Sequence, residues 1–136
     1  MPLVAHSKLP SFDRLEEEGE DILALDRAHH QDIRELHIGL LNMMPDSALQ
    51  ATERQFLRLV GGSNRIAQFY VHPFTINGIE RDPETQAYIN THYASFSDLE
   101  TAGLDALIIT GANVTESDFS QEAFWPELQA VFDFAS

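Results

Sequence analysis

The chain has 136 residues, the size of one ordinary domain, and 43% of them are hydrophobic, so it can bury a core of its own. Its net charge of −14 at pH 7 argues against binding to nucleic acid or to an anionic membrane, because both need a basic face. The sequence contains no cysteine, which excludes a disulfide, a thiolate metal site or a cysteine nucleophile within these residues. With no secretory signal pattern and no apolar run of membrane length, we expect a cytoplasmic protein.

The first 36 residues are polar and have no regular pattern. The stretch LEEEGEDILAL, which starts at Leu15, could form a short helix, but Gly19 interrupts it. We therefore expect residues 1–36 to form an arm that packs over an α/β domain of residues 37–136.

From residue 37 onward, apolar runs alternate with amphipathic stretches. Continuous apolar runs predict three buried strands, at His37–Met44, Ile66–His72 and Ala106–Thr110, and Pro45 and Pro73 close the first two. Strands that alternate with helices indicate right-handed βαβ units. The predicted fold class is α/β, an open parallel sheet of flavodoxin-like type. Since three strands are few for such a sheet, it looks like the first half of a larger fold.

Capping patterns predict where the helices begin. Ser47 with Gln50, and Ser97 with Glu100, have the spacing of a capping box. Asp82 precedes a proline and an acid, which predicts an N-cap followed by the first helical turn.

Helical periodicity predicts which faces are buried. The first helix ends at Gly61 and Gly62 and buries an apolar stripe, with Glu53 expected away from that stripe. A last helix, with Ser120 as its N-cap, carries apolar residues at helical spacing, namely Phe124, Trp125, Leu128, Val131, Phe132 and Ala135.

Three loops are expected to meet at the carboxyl ends of the strands, where open parallel sheets bind their ligands. They are residues 42–46, 72–74 and 110–116. In the last loop Gly111 and Ala112 lack bulk, so their backbone N–H groups could approach a developing oxyanion. The alternative is that Gly111 merely permits a tight turn.

Other kinds of site find little support in the sequence. The six histidines show no metal-ligand spacing, because His29 and His30 are adjacent and cannot share a helix face, so we expect no metal. Neither G-x-G-x-x-G nor G-x-x-x-x-G-K occurs, which argues against dinucleotide and P-loop sites.

Four stretches of the sequence resemble the first half of the homoserine O-acyltransferases of the homoserine O-succinyltransferase type. They occur in the family's order between about His30 and Ser136, and are HQDIRELHIGLLNMMP, TERQFLRLVG, LDALIITGANV and FWPELQAVFDFAS. The resemblance implies a fold like that of the class I glutamine amidotransferases. It also implies acyl transfer from succinyl-CoA or acetyl-CoA to the hydroxyl of homoserine or serine, in methionine or cysteine synthesis and with no bound cofactor.

The family's catalytic machinery, a Cys nucleophile with a His base and a Glu partner, lies beyond these residues in the resemblance. It therefore implies that this chain holds no catalytic residue and is inactive alone, and that a homodimer or the rest of the fold completes it. The alternative is a catalytically inactive binding or assembly module that needs a partner chain.

Within these residues, the resemblance implies that the loop after the third strand lies against the acyl group. The positions concerned are Thr110, Gly111, Ala112 and Asn113, and Thr115 falls where the family chooses between succinyl and acetyl donors.

The loop after the first strand is expected to line the pocket with Asn42, Met44, Pro45 and Asp46. Family members commonly have lysines at Asp46 and the next position. Asp46 would repel an anionic donor that a lysine would hold.

Overall fold

The computed structural model describes residues 3–25, 28, 35–63, 67–112, 114 and 118–136. Its strands are all parallel and form one sheet in the order β2-β1-β4-β3-β5. Their bounds are β1 Leu3–Ala5, β2 Ile22–Ala24, β3 Glu35–Leu41, β4 Gln68–Phe74 and β5 Ala106–Ile109.

Five α-helices connect or flank these strands in the described part of the chain, together with one short 3₁₀ turn at Phe119–Gln121. Their bounds are α1 Pro10–Glu17, α2 Asp46–Gly62, α3 Pro83–His92, α4 Phe96–Ala102 and α5 Trp125–Ala135. None of these helices has the length and apolar character that crossing a membrane requires.

The predicted α/β fold with a parallel sheet is confirmed, but the expected number of three strands is wrong. Strands β1 and β2 and helix α1 all lie in the first 36 residues, where we expected an arm. Each of the two strands has only three residues, too few to show a period in the sequence. The position of a boundary between arm and domain stays a prediction.

The expectation that Pro73 ends its strand is also wrong, because β4 continues to Phe74. The carbonyl oxygen of Phe74 accepts the N–H of Asn42 (2.9 Å), so the backbone polar groups of Phe74 point toward β3. Those of the preceding Pro73 therefore point away from β3. On that side β1 pairs with β4 only through Leu3 opposite Phe69. Pro73 therefore lies where no strand partner needs an N–H donor.

The helix caps confirm the prediction at Asp82 and correct those at Ser47, Ser97 and Ser120. Asp82 is the N-cap of α3, and its carboxylate accepts the N–H of Thr85 (2.7 Å). Ser47 is not a cap, because α2 begins at Asp46 with no side-chain cap. The cap of α4 is Ser95 rather than Ser97, since Ser95 has the extended backbone a cap needs and accepts from a backbone N–H three residues later.

The expected start of the last helix at Ser120 is wrong as well. Ser120 lies in the 3₁₀ turn and donates to the carboxylate of Asp118, and α5 begins at Trp125 after Phe124. Leu128 and Val131 of α5 are buried, as the periodicity predicts.

Side chains alternate between the two faces of the sheet along β3 and β4, so both faces carry apolar residues, and helices cover both. Helices α1 and α2 pack on the face that carries Leu40 and Val71, and α5 packs on the face that carries Leu41 and Phe74. Strand β5 lies at one edge of the sheet, and its Ile109 side chain is 37% exposed.

Candidate functional site

The carboxyl ends of β4, β3 and β5 meet as predicted, and backbone hydrogen bonds continue beyond the strands. The N–H of Thr110 donates to the carbonyl oxygen of Leu41 (3.1 Å). The N–H of Met43 donates to the buried hydroxyl of Thr110 (2.8 Å), and that hydroxyl donates to the carbonyl oxygen of Gly111 (2.9 Å). The loops after the two strands are thereby fixed to each other.

A cleft of about 1200 Å³ opens at this edge of the sheet. The cleft is lined by Met43 with residues 45–47, by residues 78–82, by residues 121–124 and by Ala112. Of the residues expected to line a pocket, Pro45, Asp46 and Ala112 do so, whereas Asn42 and Met44 lie outside the lining.

Asn42 is fully buried and holds the loop of residues 42–46 from behind. Its side-chain NH₂ donates to the carbonyl oxygen of Leu49 (2.9 Å) and to the hydroxyl of Tyr93 (3.1 Å). Its side-chain oxygen accepts the N–H of Met44 (3.3 Å). Because both ends of the amide are occupied, only one orientation of Asn42 satisfies all three contacts.

Arg81, which the sequence analysis missed, holds the same loop from the cleft side. Its side chain is only 4% exposed and forms an ion pair with Asp46 (3.3 Å). Its guanidinium also donates to the carbonyl oxygens of Met44 and Asn42. The one signal in the sequence was the scarcity of basic residues, eight lysines and arginines in all, and it does not single out one position.

The contacts of Asp46 weaken the expected repulsion of an anionic ligand. Its carboxylate is neutralised by Arg81 and also accepts the N–H of Asp82 (2.8 Å). The cleft remains acidic, because Glu80, Asp82 and Glu122 also line it. The N–H of Thr85 lowers the pKa of Asp82, which keeps that carboxyl charged in even mildly acidic solution.

Gly111 lies at an open corner next to the cleft residue Ala112. A Cβ atom added at Gly111 would have no neighbour within 4 Å, and Gly111 is not among the glycines with positive φ. The backbone therefore does not need glycine there, which argues against the tight-turn explanation. Asn113 and Thr115 lie outside the described residues.

Gly78, in the turn before α3, is a glycine that the structure does require. Its φ is +89°, and a Cβ atom there would lie 2.6 Å from the backbone nitrogen of Phe124. The neighbouring Asn77 donates from its N–H and its side chain to the Glu127 carboxylate (2.9 Å each). These contacts hold one wall of the cleft against the start of α5.

A cluster of three histidines, which sequence spacing did not predict, lies beside the central strands. The rings of His37 and His72 are stacked, with Nδ1 of His37 2.9 Å from Nε2 of His72, and the ring of His6 packs on His72. Burial, and then His6 and His37, lower the pKa of His72 to about 4. Among the described residues, no group of three or more histidine or acidic side chains is placed to hold a metal ion, and His29 and His30 lie outside them.

An open parallel α/β sheet with a cleft at the carboxyl ends of its central strands is the arrangement of ligand-binding α/β proteins. The sequence model of homoserine O-succinyltransferase matches residues 2–136, so the chain belongs to the homoserine O-succinyltransferase family. The resemblance found in the sequence is thereby confirmed.

Curated relatives named homoserine O-succinyltransferase match along almost the whole chain. Those of Cardiobacterium hominis and Allochromatium vinosum are each 64% identical over 135 residues, and that of Methylobacter tundripaludum is 63% identical. Each match covers 99% of this chain but only 38–39% of the relative. The chain therefore spans less than two-fifths of these relatives and corresponds to their N-terminal part.

Proposed function

We propose that this chain is the N-terminal part of a cytoplasmic homoserine O-acyltransferase of methionine synthesis. The proposal places the transfer of an acyl group from an acyl-CoA to the homoserine hydroxyl at the cleft described above. The observation that carries it is the open corner at Gly111, at the tip of β5, in a chain that belongs to this family. Membership of that family favours the enzyme over a non-catalytic binding or assembly module.

The chemistry proposed is acyl transfer in two steps. A cysteine supplied by sequence beyond this chain gives its proton to a histidine base and attacks the thioester carbonyl as a thiolate, and CoA leaves as its thiol after taking that proton from the histidine. The homoserine hydroxyl then attacks the acyl-enzyme, gives up its proton to a histidine base and regenerates the cysteine. Both steps pass through an oxyanion, which backbone N–H groups at Gly111 and Ala112 would stabilise.

The charge of the cleft bears on which part of each substrate lies there. Asp46, Glu80, Asp82 and Glu122 line it, and Arg81 is the one cation among the described lining residues. The ammonium group of an amino-acid acceptor suits this wall better than the phosphates of CoA, which would lie outside it. The donor is succinyl-CoA or acetyl-CoA, and serine is the alternative acceptor. A second copy, or the rest of the fold, would cover the edge strand β5.

The experiment measures release of the CoA thiol with homoserine and with serine as acceptors. One protein is the 136-residue chain, and the other extends it through the next strand, the cysteine and the histidine base of the proposed mechanism. We expect release from the extended protein and none from the 136-residue chain. Equal release from both would contradict a nucleophile located beyond these residues.

A matched pair of glycine variants in the extended protein tests the role of the corner. Gly111→Leu and Gly62→Leu both add a side chain where no atom lies within 4 Å of the added Cβ, and only Gly111 is next to the cleft. We expect Gly111→Leu to lower kcat/KM at least tenfold with an unchanged melting temperature, and Gly62→Leu to keep normal kinetics. Normal kinetics in Gly111→Leu would exclude close approach of substrate at that corner.

A further inference from the structure

The hydroxyl of Thr110 lies at a buried junction between the tips of β3 and β5. The backbone N–H of Thr110 continues the strand pairing by donating to the carbonyl oxygen of Leu41 (3.1 Å). The hydroxyl oxygen accepts the N–H of Met43 (2.8 Å). Because an N–H group can only donate, the single proton of the hydroxyl is left for a second partner. That partner is the carbonyl oxygen of Gly111, at 2.9 Å.

The hydrogen bond to Gly111 fixes the direction of the next backbone N–H. In a planar trans peptide unit the carbonyl oxygen and the N–H point in opposite directions. Since the carbonyl of Gly111 points at the buried Thr110 hydroxyl, the N–H of Ala112 points away from that hydroxyl. The same peptide unit is held at its other end, because the Ala112 methyl group packs against the apolar cluster that includes Met43 and Phe124.

The direction in which the Ala112 N–H points is that of the cleft. Ala112 lines the cleft, whereas Thr110 lies outside the lining. Within the described parts of the chain, no oxygen accepts a hydrogen bond from this N–H. The open corner at Gly111 leaves room for an acceptor to approach it. A fixed donor whose acceptor comes from outside the chain is the arrangement that stabilises an oxyanion.

We infer that Thr110 is a positioning residue, whose hydroxyl holds the peptide unit between Gly111 and Ala112 so that the Ala112 N–H faces the cleft. The inference deepens the proposed function, because it assigns contact with the oxyanion to one N–H group of the corner, that of Ala112. This assignment rests on the proposed function, whereas the orientation of the peptide unit does not. Through Met43, the same hydroxyl also makes the donor depend on the loop after β3.

Three variants of the extended protein test the role of the hydroxyl. Thr110→Val keeps the shape of the side chain and removes both of its hydrogen bonds. Thr110→Ser keeps the hydroxyl and loses only a methyl group. Thr101→Val is the matched control, because it removes an exposed hydroxyl that also donates to a backbone carbonyl, that of Ser97 (3.1 Å), outside the lining of the cleft.

The first measurement is the NMR order parameter of the Ala112 N–H, after nitrogen-15 labelling of alanine. We expect it to fall from about 0.85 to below about 0.6 in Thr110→Val, because the released peptide unit can rotate. It should stay near the parent value in Thr110→Ser and Thr101→Val. An unchanged order parameter in Thr110→Val, or an equal fall in Thr101→Val, would overturn the inference.

The parent protein allows a test that needs no variant to fold. The N–H of Met43 is buried and hydrogen bonded, whereas that of Ala112 faces the cleft. We expect hydrogen–deuterium exchange to be at least about a hundredfold slower at Met43 than at Ala112. Equal protection of the two N–H groups would show that Ala112 has an acceptor inside the protein and would overturn the inference.

The last measurement is the rate of CoA release. In Thr110→Val we expect kcat to fall at least tenfold while KM for the acyl-CoA stays within about twofold, because the donor acts only in the transition state. Thr110→Ser should restore kcat to within about threefold of the parent, and Thr101→Val should match it. A parent-like kcat in Thr110→Val, or a rise in KM alone, would overturn the assignment to the oxyanion. If the parent releases no CoA, the proposed function fails, and the two NMR and exchange results still decide the orientation of the peptide unit.

Discussion

Two polar clusters lie on opposite faces of the central strands and differ in how their groups are satisfied. The Glu53 cluster, Glu53 with Ser11 and Tyr88, lies on the face covered by α1 and α2. The histidine cluster consists of His6, His37 and His72, and the last two project from the opposite face. One is an acceptor among hydroxyl donors, and the other is a set of rings that repel one another when charged.

The difference is between a cluster that fixes geometry and one that responds to pH. The hydroxyls of Ser11 and Tyr88 both donate to Oε2 of Glu53, so this cluster fixes α1 and α3 to α2 through hydrogen bonds. Burial and the neighbouring rings favour the neutral form of His72, which lowers its pKa. The Glu53 cluster therefore makes its face of the sheet, next to the loop of residues 42–46, rigid. The histidine cluster makes the other face sensitive to acid.

The largest expected effect comes from removing the carboxyl group itself. Glu53→Ala leaves the hydroxyls of Ser11 and Tyr88 without an acceptor and opens a cavity, so we expect a loss of about 3–4 kcal/mol in unfolding free energy. Urea unfolding measures it, with Glu100→Ala on the exposed side of α4 as a control that stays within about 0.5 kcal/mol. A Glu53→Ala protein as stable as the control would show that the Glu53 cluster does not hold this face of the sheet together.

The next effect is a dependence of stability on pH. The pKa of His72 is lowered from 6.5 to about 4, so the folded state favours neutral His72 more than the unfolded state does. Stability is therefore complete above pH 6.5 and is lost as the pH falls toward 4. Because the His72 ring is only partly buried and solvent screens its charge, we expect a loss of about 1–2 kcal/mol.

Thermal melting from pH 7 to pH 4 follows this loss. His72→Gln should flatten the pH dependence, and His92→Gln, which changes a histidine outside the cluster, should keep it. An identical slope in both variants would show that the acid response arises elsewhere in the protein.

The smallest effect concerns one donor of the Glu53 cluster. Ser11→Ala removes a single hydroxyl and leaves the carboxyl group with Tyr88, so we expect a loss of about 1 kcal/mol. Ser97→Ala, an exposed serine on α4, is the matched control and should change stability by less than about 0.5 kcal/mol. If the two variants had equal effects, α1 would not be tied to the cluster through Ser11.

The sequence predicts the central strands and long helices well because their patterns extend over many residues. It misses β1 and β2, which are too short to show a period, and the continuation of β4 through Pro73, which depends on what lies beside that residue in the sheet. Ser47 and Ser97 were chosen as caps from spacing alone, and spacing does not report which backbone is extended.

In the candidate site, too, features with a long sequence pattern could be predicted and contacts between distant residues could not. The meeting of three strand tips could be predicted because parallel strands end at one edge. The roles of Arg81 and Glu53 could not, since each depends on partners distant in sequence. The expectation that Glu53 lies off the apolar stripe of α2 is wrong, because it lies four residues from both Leu49 and Leu57 and is buried with them. A charged residue at that spacing is the signal that could have revealed it.

The close approach at Gly78 determines what sets the width of the cleft. One wall meets the other where the Cα of Gly78 lies against the main chain of Ala123 and Phe124, with no room for even a methyl group between them. Side-chain rotamers can change at low cost, whereas two polypeptide backbones in contact cannot move closer together. The distance between these two backbone segments is therefore fixed. We expect relatives that differ in the side chains around the cleft to keep the same distance.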